Sequence, residues 1–231
     1  MIAANSISVI LPVLNEAGAI NDAIAHIRGL ERGGRVEIVV VDGDPEGSTV
    51  RAIRTDGIRT ALSARGRARQ MNHGAALAWG DILVFLHADT ELPRRAFTLI
   101  TDAMQDGRFV AGAFELGMKS DNPLFRITEQ YVSCRTRLTR VPFGDQAIFM
   151  RRSFFEELGG YRDIPIMEDV DLMKRTRGRG GRVAVIPEQV MTSVRRYERE
   201  GIIRCTLRNW MLQIMFALGV SPERLAGWYR S

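Results

Sequence analysis

Two acidic sites, far apart in the chain, frame the chemistry open to this sequence. Ile82-Leu83-Val84-Phe85-Leu86-His87-Ala88-Asp89 is an apolar run that ends in a histidine and an acid. A second pair, Glu168-Asp169, follows much later. One carboxylate to hold a cation and another to take a proton is the equipment of metal-assisted group transfer. Three more polar groupings adjoin apolar runs: Asn15-Glu16 just after Pro12, Asp42-Gly43-Asp44, and Gly144-Asp145-Gln146. Alone, each is a weak signal, because acids beside strands also serve turns and helix caps. At the strand ends of one open sheet they would share a crevice.

The hydrophobic pattern supplies such a sheet. Ile7 to Leu11 reads as a buried strand stopped by Pro12, and Ile20, Ala23, Ile24 and Ile27 recur at helical spacing. Val36 to Val41 is apolar nearly throughout, as in a strand covered on both faces, and Ile58 to Ala61 forms a short strand. Within 65–79, Ala68, Met71, Ala75 and Ala78 make one helical stripe, which Gly80-Asp81 breaks before the Ile82 strand. This alternation predicts an α/β fold with a mostly parallel central sheet flanked by helices.

The second half is less regular. Pro93 to Met104 reads as a helix with Pro93 in its first turn, and Phe109 to Met118 as a strand. Leu124, Ile127, Tyr131 and Leu138 mark another helix, and Ala147 to Met150 a strand. Ser153 is the expected cap of a short helix ending at Gly159-Gly160. Glu168-Asp169 open a helix reaching Gly178; 177–182 is a glycine- and arginine-rich loop, and Val183 to Ile186 a last strand closed by Pro187. After Arg196, Ile203, Leu207, Trp210, Ile214 and Leu218 make one stripe, with Met211, Met215 and Phe216 a second. A helix this apolar must be covered, by core or a homodimer contact, the alternative being a membrane surface. Without repeats or linkers, 1–231 reads as a single domain with C-terminal helices over about 198–231.

The 231 residues suffice for one sizeable core, and no apolar run is long enough to span a bilayer. The N-terminus has no basic segment of a signal peptide, and Cys134 and Cys205 have no metal-ligand spacing. Both observations fit a reducing, cytoplasmic setting, with the inner membrane face as a peripheral alternative. The net charge is +5, and only Lys119 and Lys174 among the basic residues are lysines. Arginine suits phosphate recognition because its fork bonds two oxygens at once, although base composition of the genome explains the bias equally well.

Five ordered stretches carry a family resemblance: Ser8-Val9-Ile10-Leu11-Pro12-Val13-Leu14-Asn15-Glu16, Val39-Val40-Val41-Asp42-Gly43, Arg65-Gly66-Arg67-Ala68, Phe85-Leu86-His87-Ala88-Asp89 and Glu168-Asp169-Val170-Asp171-Leu172. Together they resemble the inverting family 2 glycosyltransferases of GT-A fold, most closely a bacterial subgroup associated with radical-SAM and selenium-related genes. The resemblance implies a nucleotide-diphosphate sugar donor, an unidentified hydroxyl acceptor and a divalent Mg2+ or Mn2+ ion. It places Pro12, Asn15, Glu16, Asp42, Asp44, Arg67, His87 and Ala88 at the donor nucleotide, with Asp42 on the base. Asp89 matches the second acid of the metal-binding DxD motif, and Asp169 the catalytic base, with Glu168 beside it. His87 departs from the motif, standing where its first aspartate usually lies, and Asp44 is a second departure. Gly144, Asp145, Gln146, Arg195 and Arg196 are implied near the acceptor or the diphosphate.

Bland readings stand beside these. Asp44 and Gly144-Asp145-Gln146 suit turns, and Glu168-Asp169 suit a helix N-terminus. Two other functions compete. A nucleotidyltransferase acting on a sugar phosphate would want a glycine-rich basic loop after the first strand, where Pro12-Val13-Leu14-Asn15-Glu16 stands. A non-enzymatic basic module would bind nucleic acid or anionic membrane through Arg65, Arg67, Arg69 and the arginines of 177–182. No aromatic residues interleave with them, so nucleic acid is not an expected partner.

Overall fold

The computed structural model describes residues 6–31 and 35–230; the reading of the extreme N-terminus falls outside them. In chain order the elements are β1 (Ile7–Val13), α1 (Ile20–Leu30), β2 (Val36–Asp42), α2 (Ser48–Arg51), β3 (Arg59–Leu62), α3 (Arg67–Leu77), β4 (Ile82–Phe85), β5 (Thr90–Glu91), α4 (Ala96–Gln105), β6 (Phe109–Met118), α5 (Pro123–Thr139), a 3₁₀ turn (Gly144–Gln146), β7 (Phe149–Arg151), α6 (Arg152–Glu157), α7 (Glu168–Gly178), β8 (Arg182–Thr192), α8 (Arg195–Glu200), α9 (Ile202–Ala217) and α10 (Pro222–Arg230).

The strands form one eight-stranded sheet in the order β3-β2-β1-β4-β7-β6-β8-β5. Its first half is parallel, as the alternation predicts. The second half is mixed, because β7 runs antiparallel to both neighbours and β5 antiparallel to β8. Strand periodicity divides the core in two. Val9, Leu11 and Val84 face one layer, packed with Ile24 of α1, Ile100 of α4 and Phe125 of α5. Ile10, Val39 and Phe85 face the other, with Met71 of α3 and Leu172 and Met173 of α7. Gly74 lets α3 lie close on the sheet: a methyl there would stand 2.5 Å from Ile10 Cγ2.

Several boundaries differ from expectation. Pro12 does not stop β1, which stays paired to Val13. Beyond Ile10 the strand has lost its β4 neighbour, so a residue without an N–H is tolerated. Pro187 likewise does not close β8. The register skips from Phe114–Ile186 to Glu115–Gln189, so Pro187 and Glu188 fall in an irregularity and pairing resumes to Thr192. Ser153 lies inside α6 and caps nothing; the N-cap position is Arg151.

The C-terminal helices rest on α5, through Tyr131 against Trp210 (4.7 Å between ring centroids) and Arg135 donating to Gln213 (3.2 Å). Cys205 and Leu212 are the buried residues of α9. Of the covers expected for the stripe, the core does not supply one: Ile203, Leu207, Ile214 and Leu218 are each more than half exposed. Among the described residues, no helix is long and apolar enough to cross a membrane.

Candidate active site

The carboxyl ends of β1, β2 and β4 deliver the first group of expected residues to one edge. Gln70, fully inside α3 and not anticipated from sequence, donates to Val13 O (2.7 Å) and Val41 O (2.9 Å), fastening those strand ends to the helix that begins with Arg67. Glu16 follows Asn15, which has φ of 59°. Burial and the neighbouring Asp89 carboxylate push the Glu16 acid upward, and Arg195 pulls it down. Glu16 therefore feels the charges of both Asp89 and Arg195. The pairing of Thr90 with Thr192 explains this, since it draws the end of β8 beside the segment that follows β4.

Asp42 is completely buried. Its carboxylate accepts from the backbone amides of Thr49 (2.9 Å), Val50 (3.2 Å) and Asp44 (3.0 Å). In this geometry it shapes its own loop and presents no free face to a base. The Ser48 hydroxyl first, and then the amides of Glu46 and Ser48 that donate to Asp44, lower its pKa. That is the turn role. Pro12, Asn15 and Ala88 line the same edge with partly or fully exposed side chains.

The second group closes around Gly144. Its N–H donates to Asp169 Oδ2 at 2.5 Å. A methyl on Gly144 would lie 3.2 Å from His87 Nε2 and 3.3 Å from Asp169 Oδ2. The end of β4 and the start of α7, remote in sequence, thus flank one point. Asp169 Oδ1 also accepts from Val170 N–H (2.7 Å), and Met167, with φ of 64°, turns the chain sharply into α7. A non-glycine residue there costs roughly 1 kcal/mol and must be held by its surroundings.

The electrostatics of this corner are unusual. Burial and then Arg67 hold the His87 imidazole neutral, its pKa lowered to about 3. Burial and the Asp169 charge raise Glu168 to about 7, opposed by Arg67 at 3.5 Å. Asp145 is raised to about 6 by burial and by Asp169, with Arg135 and Arg67 working against the shift. Its buried Oδ1 has no hydrogen-bond partner. Two tyrosines outside the motifs feel the charges of this corner. Burial lifts Tyr161 well above the usual range, with Asp169 and Glu168 adding to it; burial and Asp145 push Tyr197 up to about 12. Their rings pack in the core, Tyr161 on Phe85 and Phe155 and Tyr197 on Phe125.

Two expected residues point elsewhere. Gln146 is fully buried and donates to Phe114 O (2.9 Å), while its carbonyl accepts from the Thr136 hydroxyl (3.0 Å) and Phe143 N–H (3.0 Å). It fixes the turn rather than lining the cleft. Arg196 donates to Tyr229 Oη and to Asn209 Oδ1 (2.9 Å), inside the C-terminal helices. Arg195, exposed and beside Glu16, is the one at the edge. The arginines considered for nucleic acid are dispersed: Arg69 pairs with Asp163 and Arg179 with Glu157. A hollow of about 720 Å³ over β8 and α4 holds none of the expected site residues.

Among the described residues, no three His, Cys, Asp or Glu side chains form a metal-binding cluster. Asp89 beside Glu16 still fits a cation shared with a substrate. Mg2+ and Mn2+ are commonly held by one or two carboxylates together with phosphate oxygens. Asp89, whose charge helps push the Glu16 acid upward, and Glu16 supply such a pair.

The description "Glycosyl transferase family 2" matches residues 8–159. The chain belongs to that family. The matched range holds Glu16, Asp42, Arg67, His87, Asp89 and the Gly144 turn, and stops before Glu168-Asp169. Among solved structures, the fold is similar to the mannosyltransferase PcManGT from Pyrobaculum calidifontis in complex with GDP-Man and Mn2+. The TM-score is 0.69 at 22% identity, over 96% of this chain and 67% of that one. At that identity the likeness speaks for the shared GT-A fold alone. A comparison with curated proteins returns no match. The family 2 chain described here is a glycosyltransferase.

Proposed function

We propose that this family 2 glycosyltransferase moves a sugar from a nucleotide-diphosphate donor to an acceptor hydroxyl with inversion, assisted by a divalent metal. The observation that carries the reading is the meeting of His87, Gly144 and Asp169 at one point, with Asp89 two residues from His87. Asp169 takes the proton of the acceptor hydroxyl as that oxygen bonds to the anomeric carbon. The anomeric carbon–oxygen bond to the diphosphate breaks, and its electron pair leaves with the nucleoside diphosphate. A single displacement of this kind needs one base and no enzyme nucleophile.

Asp89, with Glu16 at its side, would hold the cation, whose chemistry is to neutralise charge on the departing diphosphate. Arg67, beside Glu168, and Arg195, whose charge acts on Glu16, add positive charge. His87, neutral and half-buried, offers an imidazole nitrogen without a repelling negative charge. The Gly144 amide fixes Asp169 Oδ2. The mannosyl group and guanine nucleotide held by PcManGT make GDP-mannose the first donor to try, and the matching metal Mn2+. Within the family, we read the chain as one of the subgroup associated with radical-SAM and selenium-related genes.

The test is stabilisation of the folded protein by nucleoside diphosphates with and without Mn2+, followed by product analysis with the stabilising sugar nucleotide. A donor that raises the melting temperature in a metal-dependent way supports the reading. Release of pyrophosphate from a nucleoside triphosphate and a sugar phosphate would replace it with nucleotidyl transfer.

A further inference from the structure

A second cavity, of about 290 Å³, is lined by residues of α5, α7 and α9 and by Phe143 next to the Gly144 turn. Its apolar wall includes Phe143, Val170 and Phe216. Phe143 precedes Gly144, and Val170 follows Asp169, so the cavity adjoins the site just described. The charged residues around it are all basic: Arg135, Lys174 and Arg177, with no acid among them. Lys174 stands 4.8 Å from the centre of the Phe216 ring, and the Arg135 guanidinium 3.5 Å from that of Phe143. The Arg135 Nε is buried without a hydrogen-bond partner. An apolar hollow rimmed by cations, one with an unused donor, is built for an anion that carries hydrocarbon.

The surface outside the cavity continues the same character. Ala217 lines it, and its neighbours on the open face of α9 are Ile214 and Leu218. On α5, Thr139 lines it and Leu138 beside it is 78% exposed. The stripe left uncovered by the fold therefore runs to the mouth of the cavity. Exposed apolar surface of this extent marks a contact, and its continuity with a basic pocket selects the occupant.

Resting on the reading of Asp169 as the base, we propose that this cavity receives the acceptor, and that the acceptor is an anionic amphiphile. Its acidic group sits among Lys174, Arg177 and Arg135, its hydroxyl reaches Asp169 past Phe143, and its chain lies along the α5–α9 stripe. No contact with a partner protein is needed to cover that stripe.

The experiment is calorimetric titration of the full chain with dodecyl phosphate below its micelle concentration, alongside inorganic phosphate and dodecyl maltoside. Dodecyl phosphate is expected to bind at least about tenfold more tightly than either, since both charge and chain contribute. Lys174→Glu with Arg177→Glu, and separately Ala217→Trp, should each weaken it by at least about tenfold. All three positions are exposed, so these variants keep the fold. Equal binding of inorganic phosphate, equal binding of the maltoside, or wild-type affinity in the variants would overturn the proposal. Nucleotide binding with Mn2+ is measured on the same samples. If it fails, the sugar-transfer reading falls; if it persists while the amphiphile does not bind, only the acceptor assignment falls.

Discussion

His87 Nε2 and Asp169 Oδ2 both face Gly144, close enough that a methyl group there would touch both, at 3.2 and 3.3 Å. The glycine is therefore required by space, not by backbone conformation. Gly144→Ala should displace one of the two side chains by a few tenths of an ångström. Misplacement on this scale is expected to lower turnover roughly 10–100-fold. A steady-state assay beside a melting curve checks it: activity should fall while the melting temperature stays close to wild type.

Asp169→Asn keeps an oxygen to accept the Gly144 N–H and removes the proton acceptor. Transfer should drop by about 10²–10⁴-fold, the usual contribution of a general base. Nucleoside diphosphate with Mn2+ should still stabilise the variant as it does the wild type. Wild-type turnover in Asp169→Asn would remove the assignment.

Asp89→Asn leaves Glu16 without its charged neighbour and weakens the pair that would hold a cation. The Mn2+ concentration needed for half-maximal stabilisation by nucleoside diphosphate should rise, with metal-free binding unchanged. A metal titration followed by melting temperature reads this directly.

Asp145 binds its proton more tightly in the folded protein than in the unfolded chain, because its pKa rises to about 6 from an ordinary 3.8. Between those values the folded state holds more protons, so its contribution to stability falls as pH rises. Below pH 4 the acid is neutral in both states and costs nothing. Above pH 6 the full penalty, on the order of 1–3 kcal/mol, is present. Asp145→Asn should accordingly raise the melting temperature at pH 8 by several degrees, with the gain fading towards pH 4. An equal gain at both pH values would show that charge is not the cause.

Asp42 presents its carboxylate to three backbone amides in a site with no solvent. Asp42→Ala leaves those amides unpaired, and should cost about 2–4 kcal/mol. Chemical denaturation measures the loss. Should Asp42→Ala instead keep wild-type stability and lose only nucleotide binding, the carboxylate serves the base and not the loop.

Much of the fold was legible because strand and helix periods act locally. Val36 to Val41 announces a strand buried on both faces, and the 3.6-residue recurrence of Ala68, Met71 and Ala75 a helix against it. Strand ends such as Leu11–Pro12 and Ile186–Pro187 were misread. Proline forbids one hydrogen bond, and whether that matters depends on the neighbouring strand, which local sequence does not reveal. The stripe of α9 was legible as apolar, but its exposure was not, since burial is decided by what packs alongside.

The sequence by itself determined the parallel first half of the sheet, the order of the acidic motifs and the presence of Glu168-Asp169 at a helix start. Tertiary structure alone decided which of these residues meet. The Thr90–Thr192 pairing carries Arg195 to Glu16 and Asp89, and the Gly144 turn joins His87 to Asp169. It also turned Asp42, Gln146 and Arg196 inward. The physical reason is that periodicity reports which face of an element is apolar, whereas the distance between two polar groups depends on strand order and register, set by contacts between segments far apart in the chain.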